Sequence, residues 1–199
     1  VLMGVDFDDA ALKTYAHNLK DSIALKADLF DEEASIKQIE KLLKGNTVDV
    51  VIAGPPCQGF SLTGSRDIND SRNKLYVAVV DTVKHFQPKA FLIENVPGMA
   101  TLYKGKVKEQ IINTFEDLGY NVSVTDKPLL AADYGVPQMR KRMFFVGFRK
   151  DLGYDYFTFP TPKLTPETYI GTADAISDLP PLIDDLGEEN IPYTNEAKS

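Results

Sequence analysis

With 199 residues, of which 43% are hydrophobic and 26% charged, the chain is long enough to bury the core of one globular domain. No apolar run approaches the roughly 18 residues that cross a bilayer, and the first ten residues, with three aspartates and no basic residue, do not resemble a signal peptide. A single cysteine excludes an internal disulfide and predicts a reducing compartment, the cytoplasm or the nucleus, while the net charge of -7 alone argues against a nucleic-acid partner.

Strands and helices alternate along the first part of the chain. Short apolar runs predict strands at residues 2–5, 23–25 and 48–53, and the last run is β-branched, which is typical of a strand buried on both faces. One helix is predicted from a cap at Asp8 or Asp9 to residue 19, and a second over residues 32–43, ended by Gly45.

Residues 54–72 have no periodicity and are rich in Gly, Ser, Asp and Asn, which predicts a long functional loop. The second part of the chain then continues the alternation. Helices are predicted over residues 75–86 and 107–118, and strands over residues 90–93, 122–130 and 143–148. The pattern predicts an α/β fold with a largely parallel sheet over a core of residues 1–159. Clustered prolines predict an irregular tail over residues 160–199, with a short helix near residues 172–179.

The only cysteine, Cys57, stands just past a predicted strand in the run Gly54-Pro55-Pro56-Cys57. A free cysteine is commonly a small buried hydrophobe. Here two prolines fix backbone φ angles before it, and Gly59 after it would let a ligand come close. A thiol held in such a stiff turn at the carboxyl end of a strand suits a nucleophile.

Other polar residues also follow predicted strands, at the edge where an open parallel sheet binds ligands. Glu94 comes directly after an apolar strand, where a carboxyl is either a solvated cap or, if partly buried, a group that can hold and donate a proton. Asp6 and Asp28 end the first two strands, and each could cap a helix or bind a ribose hydroxyl. Phe7 could lie against an adenine face.

A basic run interrupts the otherwise acidic chain. Residues 138–150 hold five Lys and Arg residues and no acid. A solvated face is the plainer interpretation. If the segment enters a strand, alternation places Gln138, Arg140 and Arg142 on one side, where three planar polar groups suit an oxygen-rich ligand.

Taken together, these motifs resemble those of the DNA (cytosine-5)-methyltransferases. The residues that carry the resemblance most strongly are GPPCQGFS at 54–61, ENV at 94–96 and Gln-x-Arg-x-Arg at 138–142, in the order and rough spacing of that family. Residues 5–8 with Tyr15 and Asn18, and residues 28–29, 70–75 and 173–179, are similar to further motifs of the family. The match covers roughly residues 1–180.

The resemblance implies a Rossmann-like methyltransferase sheet, mostly parallel with an antiparallel edge strand. It also implies transfer of a methyl group from S-adenosyl-L-methionine to carbon 5 of cytosine in DNA. Cys57 would add to carbon 6 of the ring, and loss of the carbon-5 proton would later expel it. Glu94 would hydrogen-bond ring nitrogen 3 and the exocyclic amine, and Arg140 would hold the carbonyl oxygen at carbon 2.

The implied partner is double-stranded DNA with its target cytosine flipped out, as part of a restriction-modification system. The residues that would contact the DNA are Pro55, Gln58, Ser61, Arg66, Arg72, Gln138 and Arg142. The residues that would hold S-adenosyl-L-methionine are Asp6, Phe7, Asp28, Leu29, Pro56 and Leu75. Within that set, Asp6 would bind the ribose hydroxyls, Phe7 the adenine face and Asp28 the adenine amine, with no metal.

The family pattern opens with a strand and a Gly-rich turn, and the resemblance implies that these 199 residues begin after them. By the same comparison, the target-recognition domain and the closing motifs are expected to lie outside these residues. The absent strand would lie between the strands at residues 2–5 and 48–53, supplied by a longer chain or by a second one, and without it the chain alone is expected to be weak or inactive. The alternatives are a transfer-RNA cytosine-5 methyltransferase of the same family, a non-catalytic scaffold or regulatory subunit, and a nucleotide-binding module that does not methylate.

Overall fold

The computed structural model describes residues 1–55, 74–101 and 105–179. Contacts divide the chain into two compact units, one formed by Val1–Asp126 with Met143–Thr158 and the other by Lys127–Arg142 with the chain from Phe159 onwards. Among the described residues, no helix combines the length and the apolar character that a membrane span requires.

The elements follow one another much as the sequence predicts. The strands are β1 (Met3–Asp6), β2 (Ile23–Lys26), β3 (Val50–Ala53), β4 (Ala90–Asn95), β5 (Tyr120–Val124), β6 (Leu129–Leu130) and β7 (Lys141–Arg149). The helices are α1 (Asp9–Asn18), α2 (Glu32–Leu43), α3 (Lys74–Phe86), α4 (Gly98–Thr101), α5 (Lys106–Asp117) and α6 (Thr172–Ile176). Short 3-10 helices lie at Ala131–Tyr134, Lys150–Leu152 and Pro166–Thr168.

Local signals account for the helix ends around the first two strands. The Asp8 carboxylate accepts a hydrogen bond from the Ala11 amide at 2.8 Å, which caps α1 as predicted. After α2, Lys44 and Gly45 both have positive φ, so the chain turns out of the helix where glycine makes this inexpensive. α1 can pack onto β1 because Gly4 has no side chain: a Cβ there would lie 2.5 Å from the ring of Tyr15.

The strands of the first unit form two separate sheets. β1 pairs with β2 in parallel, and β3 pairs with β4 in parallel. β7 runs antiparallel between β4 and β5, giving the order β3-β4-β7-β5. The predicted α/β fold class is therefore confirmed, but the antiparallel strand lies inside the sheet rather than at its edge. It lies there because β5, which precedes it in the chain, takes the edge position and leaves β7 to pair on both sides.

Two hydrophobic cores cover these sheets. The first, here called the β4 core, surrounds β4 and is built from buried side chains of β4, α3, α4, α5, β5 and β7: Val79, Val83, Phe91, Ile93, Met99, Val107, Ile111, Phe115, Tyr120, Val122 and Phe145. The second, here called the β2 core, lies between β2 and α2 and contains Leu25, Ala27, Ile39 and Leu43. The aromatic members of the β4 core pack directly, with the rings of Phe91 and Phe115 at 4.2 Å between centroids.

β3 departs from the prediction of a strand buried on both faces. Val51 and Ala53 pack against the β4 core, whereas Val50 is 54% exposed and Ile52 is 75% exposed. The physical reason is that one face of β3 borders an open cavity and one edge pairs with β4, while no other described strand pairs with its opposite edge. A β-branched run thus keeps one large apolar face uncovered.

The single strand predicted over residues 122–130 is instead two strands, β5 and β6. They are separated at Asp126-Lys127-Pro128, because Pro128 has no amide hydrogen to continue a ladder. β6 pairs with Lys141 and Arg142 at the start of β7.

The described part of the tail in the second unit is irregular, as predicted, apart from α6 and one 3-10 turn. It is held on the turn at Ala131–Tyr134. The Tyr134 hydroxyl donates to the Pro160 carbonyl, and the Asp133 side chain accepts from Tyr169. These bonds fix the start of the tail without regular structure.

Candidate active site

The carboxyl ends of β3 and β4 bring the chain leading to Cys57 next to Glu94. The parallel pairing ends with Ala53 opposite Ile93, so the following residues, Gly54 and Glu94, are neighbours. Oε2 of Glu94 lies 3.7 Å from the position that a Cβ on Gly54 would occupy. The half-buried Glu94 carboxylate therefore lies against a backbone position three residues before Cys57 in the sequence.

Asn95, which was not predicted as a site residue, links the end of β4 to the residues that follow β3. Its side chain is 2% exposed, its Nδ2 donates to the Pro55 carbonyl at 3.3 Å, and its Oδ1 accepts from the Val96 amide at 2.7 Å. Pro55 and Pro56 carry no amide hydrogen, so the β3–β4 ladder cannot continue beyond this point. The signal was present in the alternation of β4: Asn95 has the same parity as the buried Phe91 and Ile93.

A cavity of about 930 Å³ lies between β1 and β3 in the first unit. Pockets for cofactors and drug-sized ligands span about 300–1,000 Å³, so this one has room for a nucleoside-sized ligand and more. The predicted cofactor residues among the described ones all line it, together with Pro55: Asp6, Phe7, Asp28, Leu29 and Leu75. The rest of the lining is largely apolar and includes the exposed face of β3.

The cavity lining includes two carboxylates, Asp6 at the end of β1 and Asp28 just after β2. The Ala27 amide donates to the Asp6 carbonyl at 3.0 Å, which extends the β1–β2 ladder and places Asp28 beside the end of β1. Oδ1 of Asp6 accepts from the Asp8 amide at 2.9 Å, and Oδ1 of Asp28 accepts from the Phe30 amide at 3.0 Å. Both carboxylates are thereby oriented by their own turns. Carboxylates so placed can accept hydrogen bonds from hydroxyl or amine groups of a nucleoside, and the neighbouring exposed Phe7 offers a ring face.

Gln138, Arg140 and Arg142, the first part of the basic run, belong to the second unit and differ from the prediction in one respect. β7 begins at Lys141, so Gln138 and Arg140 precede the strand and do not share a strand face with Arg142. The turn is held by backbone bonds instead: the Gln138 carbonyl accepts from the Arg140 amide at 2.9 Å, and the Arg140 carbonyl accepts from the Ala131 amide at 2.8 Å. Gln138 and Arg140 are exposed and Arg142 is half-buried. Their joint action with Glu94 on one ligand stays a prediction.

Several predicted site residues lie outside the described residues. They are Pro56, Cys57, Gln58, Ser61, Arg66 and Arg72. Their roles stay predictions, and the structure bears on them only through Gly54 and Pro55, which lead directly into this segment.

Comparison with known proteins points to one family. A family profile described as C-5 cytosine-specific DNA methylase matches residues 1–197. The chain is 40% identical over 199 residues to type II methyltransferase M1.HphI from Haemophilus parahaemolyticus, covering 98% of this chain and 50% of that protein. It is 39% identical over 184 residues to type II methyltransferase M.DdeI from Desulfomicrobium norvegicum, covering 90% of this chain and 43% of that protein. The chain thus spans about half the length of the curated relatives it matches.

Solved structures show the same fold. A provisionally assigned, prophage-encoded DNA modification methyltransferase (E. coli) superposes with a TM-score of 0.72 at 32% identity, covering 92% of this chain and 50% of that one. DNMT2 of Spodoptera frugiperda superposes with a TM-score of 0.63 at 21% identity, covering 92% of this chain and 53% of that one. At that identity the second likeness concerns the fold alone.

Proposed function

Because the chain belongs to the C-5 cytosine-specific DNA methylase family, we propose that it carries the catalytic part of an enzyme that methylates carbon 5 of cytosine in DNA. The observation that carries this proposal is the junction of β3 and β4. Glu94 lies against Gly54 there, and the chain runs from Gly54 directly to Cys57. Addition to a cytosine ring requires a nucleophile, such as a thiol, and a carboxyl group that stabilises the charge on the ring.

In the proposed reaction, the Cys57 thiolate adds to carbon 6 of the cytosine, and the new bond makes carbon 5 nucleophilic. Glu94 hydrogen-bonds ring nitrogen 3 and the exocyclic amine, which stabilises the charge that the addition creates. Arg140 holds the carbonyl oxygen at carbon 2. After carbon 5 has been methylated, loss of its proton restores the double bond and expels Cys57.

We assign S-adenosyl-L-methionine to the cavity between β1 and β3, where it would supply an activated methyl group. The residues present fit such a group, because Asp6 and Asp28 hold oriented carboxylates in the cavity lining. Asp6 would bind the ribose hydroxyls, Asp28 the adenine amine and Phe7 the adenine face, with Leu29, Leu75 and Pro56 completing the walls. These side chains bind and orient, and they exchange no proton with the base.

The cavity also has room for a further strand. β1 and β3 both border it, and Ile52 and Val50 point an uncovered apolar face towards it. A segment from a longer chain, or from a second chain, would add a strand between β1 and β3 and cover that face. Such a segment would also supply the part of the cofactor site that these residues do not build.

The proposed substrate is double-stranded DNA with the target cytosine flipped out, because a nucleophile cannot reach carbon 6 of a base that is stacked inside a duplex. Gln58, Ser61, Arg66, Arg72, Gln138 and Arg142 would contact the DNA around it. Because DNA is the substrate, the enzyme would work in the cytoplasm of a bacterium or in a nucleus, within a restriction-modification system in the former case.

The test uses the protein encoded by the longest reading frame that contains this chain. It is incubated with S-adenosyl-L-methionine carrying a tritiated methyl group, and with either unmethylated DNA or transfer RNA. We expect label in DNA and not in RNA, and a fall of roughly three orders of magnitude or more for Cys57→Ser, since the nucleophile is lost. Lys37→Gln, an exposed change on α2, is the matched control.

A second readout separates the alternatives. DNA containing 5-fluorocytosine has no carbon-5 proton to lose, so the enzyme should remain covalently attached and migrate with the DNA on a denaturing gel. Undiminished methylation by Cys57→Ser overturns the mechanism. Label in transfer RNA alone would reject DNA as the substrate. Binding of S-adenosyl-L-methionine without methylation of either nucleic acid would support the alternative of a nucleotide-binding module that does not methylate.

A further inference from the structure

We propose that Asn95 is a positioning residue that sets the geometry of the Gly54-Pro55 turn, and with it the point from which the chain enters the segment of Cys57. This inference deepens the proposed function and rests on it for its catalytic consequence. Its structural content is independent, because it concerns one hydrogen bond between two described residues, Asn95 and Pro55.

The need for such a residue follows from the two prolines. Elsewhere the parallel ladder between β3 and β4 holds the strands in register through backbone amides. Pro55 and Pro56 provide none, so the turn has no ladder bond to fix it just where the fold must present a reactive group. Asn95 supplies the missing donor from the neighbouring strand: its Nδ2 reaches the Pro55 carbonyl at 3.3 Å.

Asn95 is suited to this role because it is itself immobilised. Its side chain is buried, and its Oδ1 accepts from the Val96 amide at 2.7 Å, which fixes the amide orientation and aims Nδ2 at β3. Glu94, one residue earlier, projects to the other face of β4 and lies against Gly54. Asn95 therefore binds the turn through Pro55, while Glu94, the residue before it on β4, lies beside the turn at Gly54. The pairing of β3 with β4 thus determines the spacing between the Glu94 carboxylate and the Pro55 carbonyl.

The Pro55 carbonyl has two lone pairs, and Asn95 uses one. The second can accept from the exocyclic amine of a cytosine that also meets Glu94. Uracil has an oxygen in place of that amine, so two acceptors held at a fixed spacing would select cytosine over uracil. Asn95 acts on the base through Pro55 and does not touch it.

The test compares Asn95→Asp with Asn95→Ala in the protein encoded by the longest reading frame. An ionised aspartate keeps the acceptor for Val96 but cannot donate to Pro55, whereas alanine removes both bonds, so the two variants together report on the bond to Pro55. We expect kcat to fall about 10- to 100-fold, since misplacing a reacting group by about 1 Å can cost this much. The KM for S-adenosyl-L-methionine should change less than kcat, because Asp6, Phe7 and Asp28 lie at the ends of β1 and β2 and not on this turn.

The control is Ser123→Ala on β5. Ser123 is also buried, and its Oγ accepts from the Phe157 amide at 2.8 Å, so its loss likewise removes a bond between a buried side chain and the backbone. If the role of Asn95 is purely structural, the Asn95 variants and Ser123→Ala should all lower the melting temperature and leave kcat unchanged. A positioning role predicts that only the Asn95 variants lower kcat.

A further measurement does not depend on methylation. Cys57 is the only cysteine of the 199 residues, and mass spectrometry of the peptide that contains it gives the rate at which iodoacetamide alkylates this one thiol in the longer protein. With the turn released, we expect both Asn95 variants to alkylate faster than wild type and Ser123→Ala to match wild type. Faster alkylation in a protein that never methylates would keep the inference and reject the proposed function. Wild-type alkylation and wild-type kcat in Asn95→Asp would overturn the inference.

Discussion

The β4 core and the β2 core differ in how completely this chain closes them. Around β4, Val83, Phe115 and Tyr120 retain no exposed surface. Every member of the β2 core keeps some, and beside it lie the cavity of about 930 Å³ and the uncovered face of β3. The chain therefore completes by itself the packing that supports Glu94 and Asn95, whereas the half that carries Asp6 and Asp28 leaves apolar surface for another segment to cover.

The largest effect should come from truncating the same residue type in each core. Ile93→Ala, at a position 1% exposed in the β4 core, should cost about 4 kcal/mol of unfolding free energy, because its neighbours cannot collapse into the space. Ile39→Ala, at a position 8% exposed in the β2 core, should cost about 2 kcal/mol, because part of its surface already faces the cavity. Urea denaturation measures both, and equal costs would mean that the two cores are equally complete.

The next effect is on the pH dependence of the β4 core. Burial raises the pKa of Tyr120 to about 12 and that of Tyr76, which packs against the same core, to about 12. Unfolded tyrosines lose their protons near pH 10, so above that pH the unfolded state binds fewer protons than the folded state. The contribution of these two tyrosines to the unfolding free energy should therefore be constant below about pH 10 and should fall as the pH rises towards 12. Urea titrations across this window measure it, and a flat profile would contradict the burial of both hydroxyls.

A smaller change tests one bond of the same core. The Tyr120 hydroxyl donates to the Pro88 carbonyl at 2.7 Å. Tyr120→Phe keeps the ring packing but leaves that buried carbonyl without its donor, which should cost about 1–3 kcal/mol. Thermal and urea unfolding measure the cost, and Tyr154→Phe, at an exposed tyrosine, is the control. No loss of stability would show that water satisfies the Pro88 carbonyl.

The smallest effect should be at the open face. Ile52→Ser should change the stability of the 199-residue chain by less than about 0.5 kcal/mol, because Ile52 is largely exposed. Its neighbour Val51 packs on the β4 core, so Val51→Ser on the same strand should cost more. In a longer protein that supplies the proposed strand, Ile52→Ser should become clearly destabilising. An unchanged small cost there would argue that nothing covers this face.

The elements were predictable where local chemistry defines them. α2 has the predicted bounds because an acidic cap, a helical apolar stripe and Gly45 all act within a few residues. The position of β7 was not predictable, since its order depends on pairing with β4 and β5, which lie tens of residues away in the chain. The exposure of Ile52 was not predictable either, because a β-branched run has the same sequence whether one or both of its faces are covered.

The site followed the same division. Asp6, Asp28 and Glu94 could be selected because each ends an apolar strand, and the carboxyl edge of a sheet is where such residues converge. Asn95 was missed because the alternation of β4 indicates only that its side chain is buried, and its partner, the Pro55 carbonyl, lies 40 positions away in the chain. The alternation expected for Gln138 and Arg140 did not occur because the ladder with β6 begins only at Lys141.

One edge of β3 also bears on how the protein must be handled. No described strand pairs with that edge, and the neighbouring Val50 and Ile52 side chains are exposed. Another molecule can add a β-strand there, so concentrated stocks of the isolated chain should form fibrous aggregates during storage.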